Sequence, residues 1–206
     1  MCNGIIGFGC FPANNMKTII LASASPRRKA LLEKIGLKFK VEPSDYEETI
    51  SAELEPHELA KSLSLEKAKL VAKNHKNALV IAADTFIAFE GKILGKPLTE
   101  AEAKEMLSTI SGKPHSVITG FTIIDTENNK TVSKSVETRV HLRALSSSEI
   151  DAYVKSKEPL DKAGAYAIQG LGSVLVDRIE GDYFNVMGLP LSTLTESLKE
   201  FGIKIL

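Results

Sequence analysis

The chain has 206 residues, of which 43% are hydrophobic and 25% charged, a composition typical of a soluble globular protein that can bury a core. Lysine plus arginine and aspartate plus glutamate each total 26, so the net charge is zero, which disfavours a broad nucleic-acid or membrane-binding surface. No apolar run approaches the roughly 18 residues of a membrane span. We therefore expect no membrane partner and no stable nucleic-acid partner.

The first 15 residues contain no lysine or arginine and only a short apolar patch interrupted by glycine, so they do not resemble a secretory signal. Both cysteines, Cys2 and Cys10, lie in this segment, so no disulfide framework is expected in the rest of the chain. We expect residues 1–15 to be a mobile N-terminal extension and residues 16–206 to form a single cytoplasmic domain.

The stretch TIILASASPRRKALLEKIG, residues 18–36, predicts a strand, a tight turn and a helix. Ser25 suits the N-cap of that helix and Gly36 its C-terminal cap. Arg27 and Arg28 fall in its first turn, where each cation typically costs about 0.3–1 kcal/mol against the helix dipole. This unfavourable placement suggests a missing anion, and phosphate is the anion that helix N-termini commonly bind.

The remaining pattern mixes helices with antiparallel hairpins, so a purely parallel sheet is not expected and the predicted fold class is mixed α/β. Ser146 with Glu149, and Thr99 with Glu102, each predict a capping box at the start of a helix. The predicted strands are 37–43, 78–89, 116–125, 131–145 and 173–181, and the predicted helices are 56–73, 99–112, 146–156 and 191–201, with a glycine-containing loop at 158–172.

Two charged residues fall among apolar neighbours. Lys67 lies four residues after Leu63 and three before Leu70, inside the predicted apolar stripe of its helix, so its amine either extends to water or points into a cleft. Asp84 lies in the apolar strand LVIAADTFIAF, where an unpaired charge would cost several kcal/mol. It is either bonded to backbone amides at a strand end or acts as a metal ligand or general base.

Three other positions are open to two interpretations. Lys96 in LGKP is either a solvated turn residue or a further cation of the site. Glu48 belongs to an acidic turn that is either solvated or holds a divalent ion, since Mg²⁺ needs only one or two carboxylates besides substrate phosphates. Gln169 is either a core residue or an amide suited to recognising the edge of a base, because it both donates and accepts. Together, inward cations and carboxylates indicate phosphoryl chemistry.

Seven segments in this order resemble the motifs of the Maf family of nucleotide pyrophosphatases, from about Met16 to the C-terminus. They are ASASPRRKALL, EKAK, AADT, LGKP, SGKPHSVITG and EPLDKAGAYAIQGLG with the later GDYFNVMGLPL. The resemblance implies an elongated, mixed twisted sheet with flanking helices around a central cleft, similar to inosine triphosphate pyrophosphatases. It also implies a divalent cation, Mg²⁺ or Mn²⁺, and suggests a homodimer.

By motif position, the resemblance implies that Asp84 is the proton-accepting catalytic residue. Arg27, Thr85 and Gln169 match positions linked to substrate choice, and the other active-site positions are Ser23, Arg28, Glu48, Lys67 and Lys96. Asp84, with Glu48, is our candidate for holding the metal. Thr85 and Gln169 resemble the branch that acts on dTTP and UTP.

We therefore expect hydrolysis of a nucleoside triphosphate, dTTP or UTP or a modified pyrimidine nucleotide, to the monophosphate and pyrophosphate. Two alternatives remain open from the sequence. One is the same chemistry on 7-methyl-GTP or other purine triphosphates. The other is a regulatory or nucleic-acid-binding protein of cell division with no catalytic activity.

Overall fold

The computed structural model describes residues 17–46 and 54–206. The expected N-terminal extension, residues 1–15, and the candidate metal ligand Glu48 lie outside the described residues. The elements in chain order are β1 (Thr18–Leu21), α1 (Pro26–Lys34), β2 (Lys40–Val41), α2 (Pro56–Ala72), β3 (Ala78–Phe89), β4 (Lys92–Leu94), α3 (Glu100–Ile110), β5 (Pro114–Asp125), β6 (Thr131–Leu142), α4 (Ser147–Lys155), β7 (Val176–Glu180), α5 (Tyr183–Val186) and α6 (Leu191–Lys199).

The strands form one mixed sheet with the order β2-β1-β3-β5-β6-β7, and β4 pairs with the end of β3. β1 runs parallel to β2 and β3, whereas β3, β5, β6 and β7 are joined by antiparallel pairings. The predicted mixed sheet with flanking helices is therefore confirmed. The two central strands, β3 and β5, are each 12 residues long and run the length of the sheet.

Helices cover both faces of the sheet. On one face, α1 and α6 pack over Leu79, Ile81 and Ala83 of β3, while α3 and α4 pack farther along the same strand over Ile87 and Phe89. The opposite face is covered by α2, which packs on the intervening residues of β3. Because side chains alternate along a strand, the odd-numbered residues of β3 share one face and the even-numbered residues the other.

Some boundaries differ from the sequence prediction. The strand predicted from residue 173 begins at Val176, because residues 170–175 form a 3₁₀ turn, and α5 was not predicted. The capping box at Ser146 is complete, but that at Thr99 is not, since Glu102 Oε2 accepts from the backbone N–H of Leu98 instead. Leu70 is 37% exposed and does not belong to the buried stripe of α2. None of the helices in the described ranges is long and apolar enough to cross a membrane.

Candidate active site

Two apolar clusters lie on the α1 face of the sheet, the first beneath α1 and α6 and the second beneath α3 and α4. A cleft opens between them. Thr85 of β3 lies between Ala83 of the first cluster and Ile87 of the second, and Thr119 is paired with it on β5. The cleft is lined by residues of α1, β3, β5 and the glycine-containing loop. Its described lining includes four cationic side chains and no carboxylate, which makes it a site for an anion: Arg27, Arg28, Lys96 and Lys162.

Arg28 is held by the protein itself. Its Nε donates to the carbonyl of Gly188 at 2.8 Å, Nη1 to Ser23 Oγ at 3.1 Å and Nη2 to Thr85 Oγ1 at 3.0 Å. Ser23 is buried and also accepts from the backbone N–H of Ser25, the N-cap of α1. Arg28 therefore ties the start of α1 to the floor of the cleft, which is a positioning role.

Arg27 has a different environment. Its side chain is 31% exposed, and its Nη1 lies 3.6 Å from the Asp161 carboxylate. The neighbouring Lys162 also pairs with Asp161, and its side chain is only 14% exposed. Lys162 was not predicted as a site residue, since a lysine in a glycine-containing loop is expected to be solvated. The pairing of Asp161 with Arg27, more than 130 positions away in the chain, cannot be inferred from the sequence.

Lys67 and Asp84 form an ion pair on the other face of the sheet. Their side chains are 12% and 9% exposed, so the amine does not extend to bulk water and the carboxylate is not satisfied by backbone amides alone. The ion pair fixes the orientation of the Asp84 carboxylate. Gly120, the register partner of Asp84 on β5, lies against the backbone of Ala60 in α2, and this close approach brings the helix and Lys67 down onto the sheet.

The strand pairing along one edge of β3 is interrupted. β1 pairs with β3 only as far as Ile81, and β4 begins its pairing at Ile87. Among the described strands, none lies beside residues 82–86 on that edge. The chain leaves β1 at this point and enters the N-terminus of α1. Asp84 therefore belongs to a stretch of β3 that no described strand covers on this edge, and it is the chain neighbour of the cleft residue Thr85.

The loop that carries Gln169 is held by a buried network. Glu158 accepts hydrogen bonds from the Tyr153 hydroxyl at 2.9 Å and from the backbone N–H groups of Leu171 and Gly172 at 3.1 and 2.9 Å. Burial alone would raise the pKa of Glu158, but these hydrogen bonds outweigh it and lower the pKa. Gln169 itself is exposed and lines the cleft, so it is not a core glutamine.

A second buried contact supports the floor of the cleft. His115 Nε2 lies 2.7 Å from the Tyr166 hydroxyl, and the two rings meet edge to face. Burial lowers the pKa of His115 to about 4, so the imidazole is neutral at physiological pH. Tyr166 lines the cleft, and this pair therefore anchors the glycine-containing loop to the start of β5. Neither residue was predicted, because a histidine and a tyrosine far apart in the chain give no spacing signal.

The structure thus divides the described site residues into two groups. Arg27, Arg28, Thr85, Lys96 and Gln169 line the cleft, with Ser23 behind Arg28. Lys67 and Asp84 contact each other on the opposite face of the sheet, the face covered by α2. Within residues 17–46 and 54–206, no cluster of three or more histidine, cysteine or acidic side chains is arranged to hold a metal ion.

Comparison with protein-family models confirms the family resemblance of the sequence motifs. The model of the family described as Maf-like protein matches residues 18–201. The chain belongs to the Maf-like family. This match includes every described residue of the cleft and both residues of the Lys67–Asp84 pair.

Several curated relatives of this Maf-like chain carry the same name, "dTTP/UTP pyrophosphatase". One from Bacillus cereus is 53% identical over 191 residues, which cover 93% of each chain. One from Bacillus anthracis is 52% identical over 190 residues, covering 92% of this chain and 98% of the relative. A third, from Bacillus mycoides, is 53% identical over 186 residues, covering 90% and 96% respectively.

Proposed function

We propose that this Maf-like protein hydrolyses dTTP and UTP to the nucleoside monophosphate and pyrophosphate. The observation that carries the proposal is a cleft lined by cations next to a stretch of β3, residues 82–86, that has no described strand partner on one edge and carries the buried carboxylate of Asp84. In this proposal the bound triphosphate lies in the cleft and extends toward Asp84. The names of relatives 52–53% identical over most of their length support the choice of substrate.

The phosphate oxygens would contact the cations of the cleft other than Arg28, which are Arg27, Lys96 and Lys162. Arg27 and Lys162 would exchange their shared partner Asp161 for phosphate. Cations placed around a phosphoryl group stabilise the charge that develops during its transfer. Arg28 contributes by holding the N-terminus of α1 in position, since its guanidinium already bonds Ser23, Thr85 and Gly188. Binding of the triphosphate also relieves the unfavourable placement of two arginines at a helix N-terminus.

Asp84 would act as the general base. A water molecule attacks the α-phosphorus, its proton passes to the Asp84 carboxylate, and the bond to the bridging oxygen breaks so that pyrophosphate leaves. Lys67 pairs with this carboxylate and holds it in a fixed orientation. Gln169 and Thr85 would contact the pyrimidine base, since both line the cleft.

Among the described residues, Asp84 is also our candidate ligand for a divalent metal ion. Mg²⁺ and Mn²⁺ bind carboxylate oxygens, and Mg²⁺ commonly takes one or two carboxylates together with substrate phosphates, so a single buried aspartate beside the phosphates is a sufficient protein ligand. Glu48 is the second ligand that we propose from the sequence. When bound, such an ion neutralises charge on the phosphate oxygens.

The test is a pyrophosphate-release assay over the common and methylated nucleoside triphosphates, with magnesium and with manganese. We expect dTTP and UTP to be the best substrates and Asp84→Asn to lower kcat by about 100-fold or more, the usual contribution of a general base. The matched control is Asp151→Asn, which removes an exposed carboxylate paired with Lys104. Faster turnover of 7-methyl-GTP or of purine triphosphates would overturn the substrate assignment. No release from any nucleotide would overturn the enzymatic function.

A further inference from the structure

A chain of hydroxyl groups lies behind Thr85 in the floor of the cleft. Arg28 Nη2 donates to Thr85 Oγ1 at 3.0 Å, Thr85 Oγ1 lies 2.9 Å from Thr119 Oγ1, and Thr119 Oγ1 lies 2.9 Å from the carbonyl oxygen of Asn185. Thr119 is fully buried, whereas Thr85 is half-buried and lines the cleft. The series therefore runs from an arginine through two hydroxyls to a backbone carbonyl.

The two ends of this series fix the direction of every hydrogen bond in it. A guanidinium only donates and a carbonyl only accepts, while a hydroxyl has one hydrogen and two lone pairs. Thr119 must give its single hydrogen to the Asn185 carbonyl, and it therefore accepts from Thr85. If Thr119 instead donated to Thr85, Thr119 Oγ1 and the Asn185 carbonyl oxygen would lie 2.9 Å apart with no hydrogen between them. The hydrogen of the Thr85 hydroxyl consequently points away from the cleft, toward Thr119.

Thr85 Oγ1 is thereby left with one bonding position, a lone pair. It can accept a hydrogen bond from a ligand in the cleft, but it has no hydrogen to give. Uracil and thymine carry a hydrogen on N3, whereas N3 of cytosine is an acceptor. A Thr85 oxygen that only accepts matches the N3–H of the first two bases and opposes the N3 lone pair of cytosine.

We propose that Thr119 is a positioning residue that sets base selectivity by turning the Thr85 hydroxyl into an acceptor. The inference rests on the proposed function, in which Thr85 contacts the pyrimidine base. Thr119 is not a catalytic residue, because it is buried behind Thr85 and is not among the residues that line the cleft. Its position supports this role, since Thr85 and Thr119 are register partners on β3 and β5 between the two apolar clusters.

The test compares kcat/KM for UTP and CTP in the wild type and in Thr119→Val, which keeps the size of the side chain but removes its hydroxyl. Without Thr119 as acceptor, the Thr85 hydroxyl is free to donate to cytosine N3. We expect the UTP preference over CTP to fall by about tenfold, within the range of one well-placed base contact. The control Thr119→Ser keeps the hydroxyl and should keep the preference. A purely structural role would instead lower both kcat/KM values together and leave their ratio unchanged.

A second background separates selectivity from folding. In Thr85→Val the base-facing hydroxyl is absent, so adding Thr119→Val should leave the UTP/CTP ratio where the single Thr85 variant sets it. The circular dichroism spectrum of each variant is compared with that of the wild type as a control for folding. Release of pyrophosphate from UTP with an unchanged ratio in Thr119→Val overturns this inference alone, as does a wild type that does not discriminate between UTP and CTP. No release from any nucleotide overturns the proposed function, and this inference with it.

Discussion

Gly120 sets the distance between α2 and the sheet, and a single methyl group added there tests how far Lys67 and Asp84 depend on it. An alanine Cβ at residue 120 would overlap the backbone carbonyl of Ala60 and lie 2.8 Å from the backbone nitrogen of Lys61, about 0.6 Å inside ordinary contact. Backbone atoms cannot rotate away as a side chain does, so α2 must move outward. We expect Gly120→Ala to cost about 3 kcal/mol, the upper end for inserting a methyl group into a packed core.

For a chain of this size that cost corresponds to a fall in Tm of about 6–12 °C, measured by differential scanning calorimetry. The displacement of α2 also draws Lys67 away from Asp84, so kcat/KM for dTTP should fall in the variant that remains folded. The control is Gly95→Ala, because a Cβ at residue 95 meets no atom within 4 Å, and its Tm should stay within about 2 °C of the wild type. A Gly120→Ala variant that melts within 2 °C of the wild type would refute the argument that the helix is held at this distance.

The two arginines of α1 should separate by their effects on the ligand-free and the ligand-bound protein. Arg28→Ala removes three hydrogen bonds and should lower the Tm of the free protein by about 4–8 °C, equivalent to about 2 kcal/mol. Arg27→Ala removes only an exposed ion pair, so it should leave that Tm within about 2 °C but reduce the rise in Tm on adding dTTP with Mg²⁺. Equal effects of the two variants on the free protein would contradict these assignments. Burial lowers the pKa of His115 from 6.5 to about 4. Below pH 6.5 the unfolded chain therefore binds a proton that the folded protein does not. The free energy of unfolding consequently falls as the pH falls toward 4. Between pH 7.5 and pH 5, the free energy of unfolding measured by urea denaturation should fall by about 2 kcal/mol more for the wild type than for His115→Gln. The same pH dependence of that free energy in both proteins would show that the histidine is not buried as described.

The sequence was informative for several features that a local rule decides. The N-cap Ser25 and the capping box at Ser146 mark true helix starts, and the apolar runs of β3 and β5 mark the central strands. Three of the four cations that line the cleft, Arg27, Arg28 and Lys96, were also named as candidates, the two arginines because a charge placed against local preference signals a partner elsewhere.

The remaining features depend on contacts between distant parts of the chain. α5 is four residues long and shows no helical period, although Asp182 caps it through two backbone N–H groups. Lys162 reads as a solvated loop residue until Asp161 and Arg27 are brought together. Thr119 reads as an ordinary strand residue in SVITGFTIID, and its importance arises only from its pairing with Thr85.

The two apolar clusters beside the cleft are joined by unbroken strands rather than by a linker. β3 supplies Ala83 to one cluster and Ile87 to the other, and β5 supplies Phe121 and Val117 in the same way. Any swinging of one half against the other would have to bend two strands that are hydrogen-bonded along ten consecutive residue pairs, from Leu79–Asp125 to Ala88–Ser116. The width of the cleft is therefore built into the sheet, so adjustment to a ligand falls to side chains and to the surface loops rather than to a hinge.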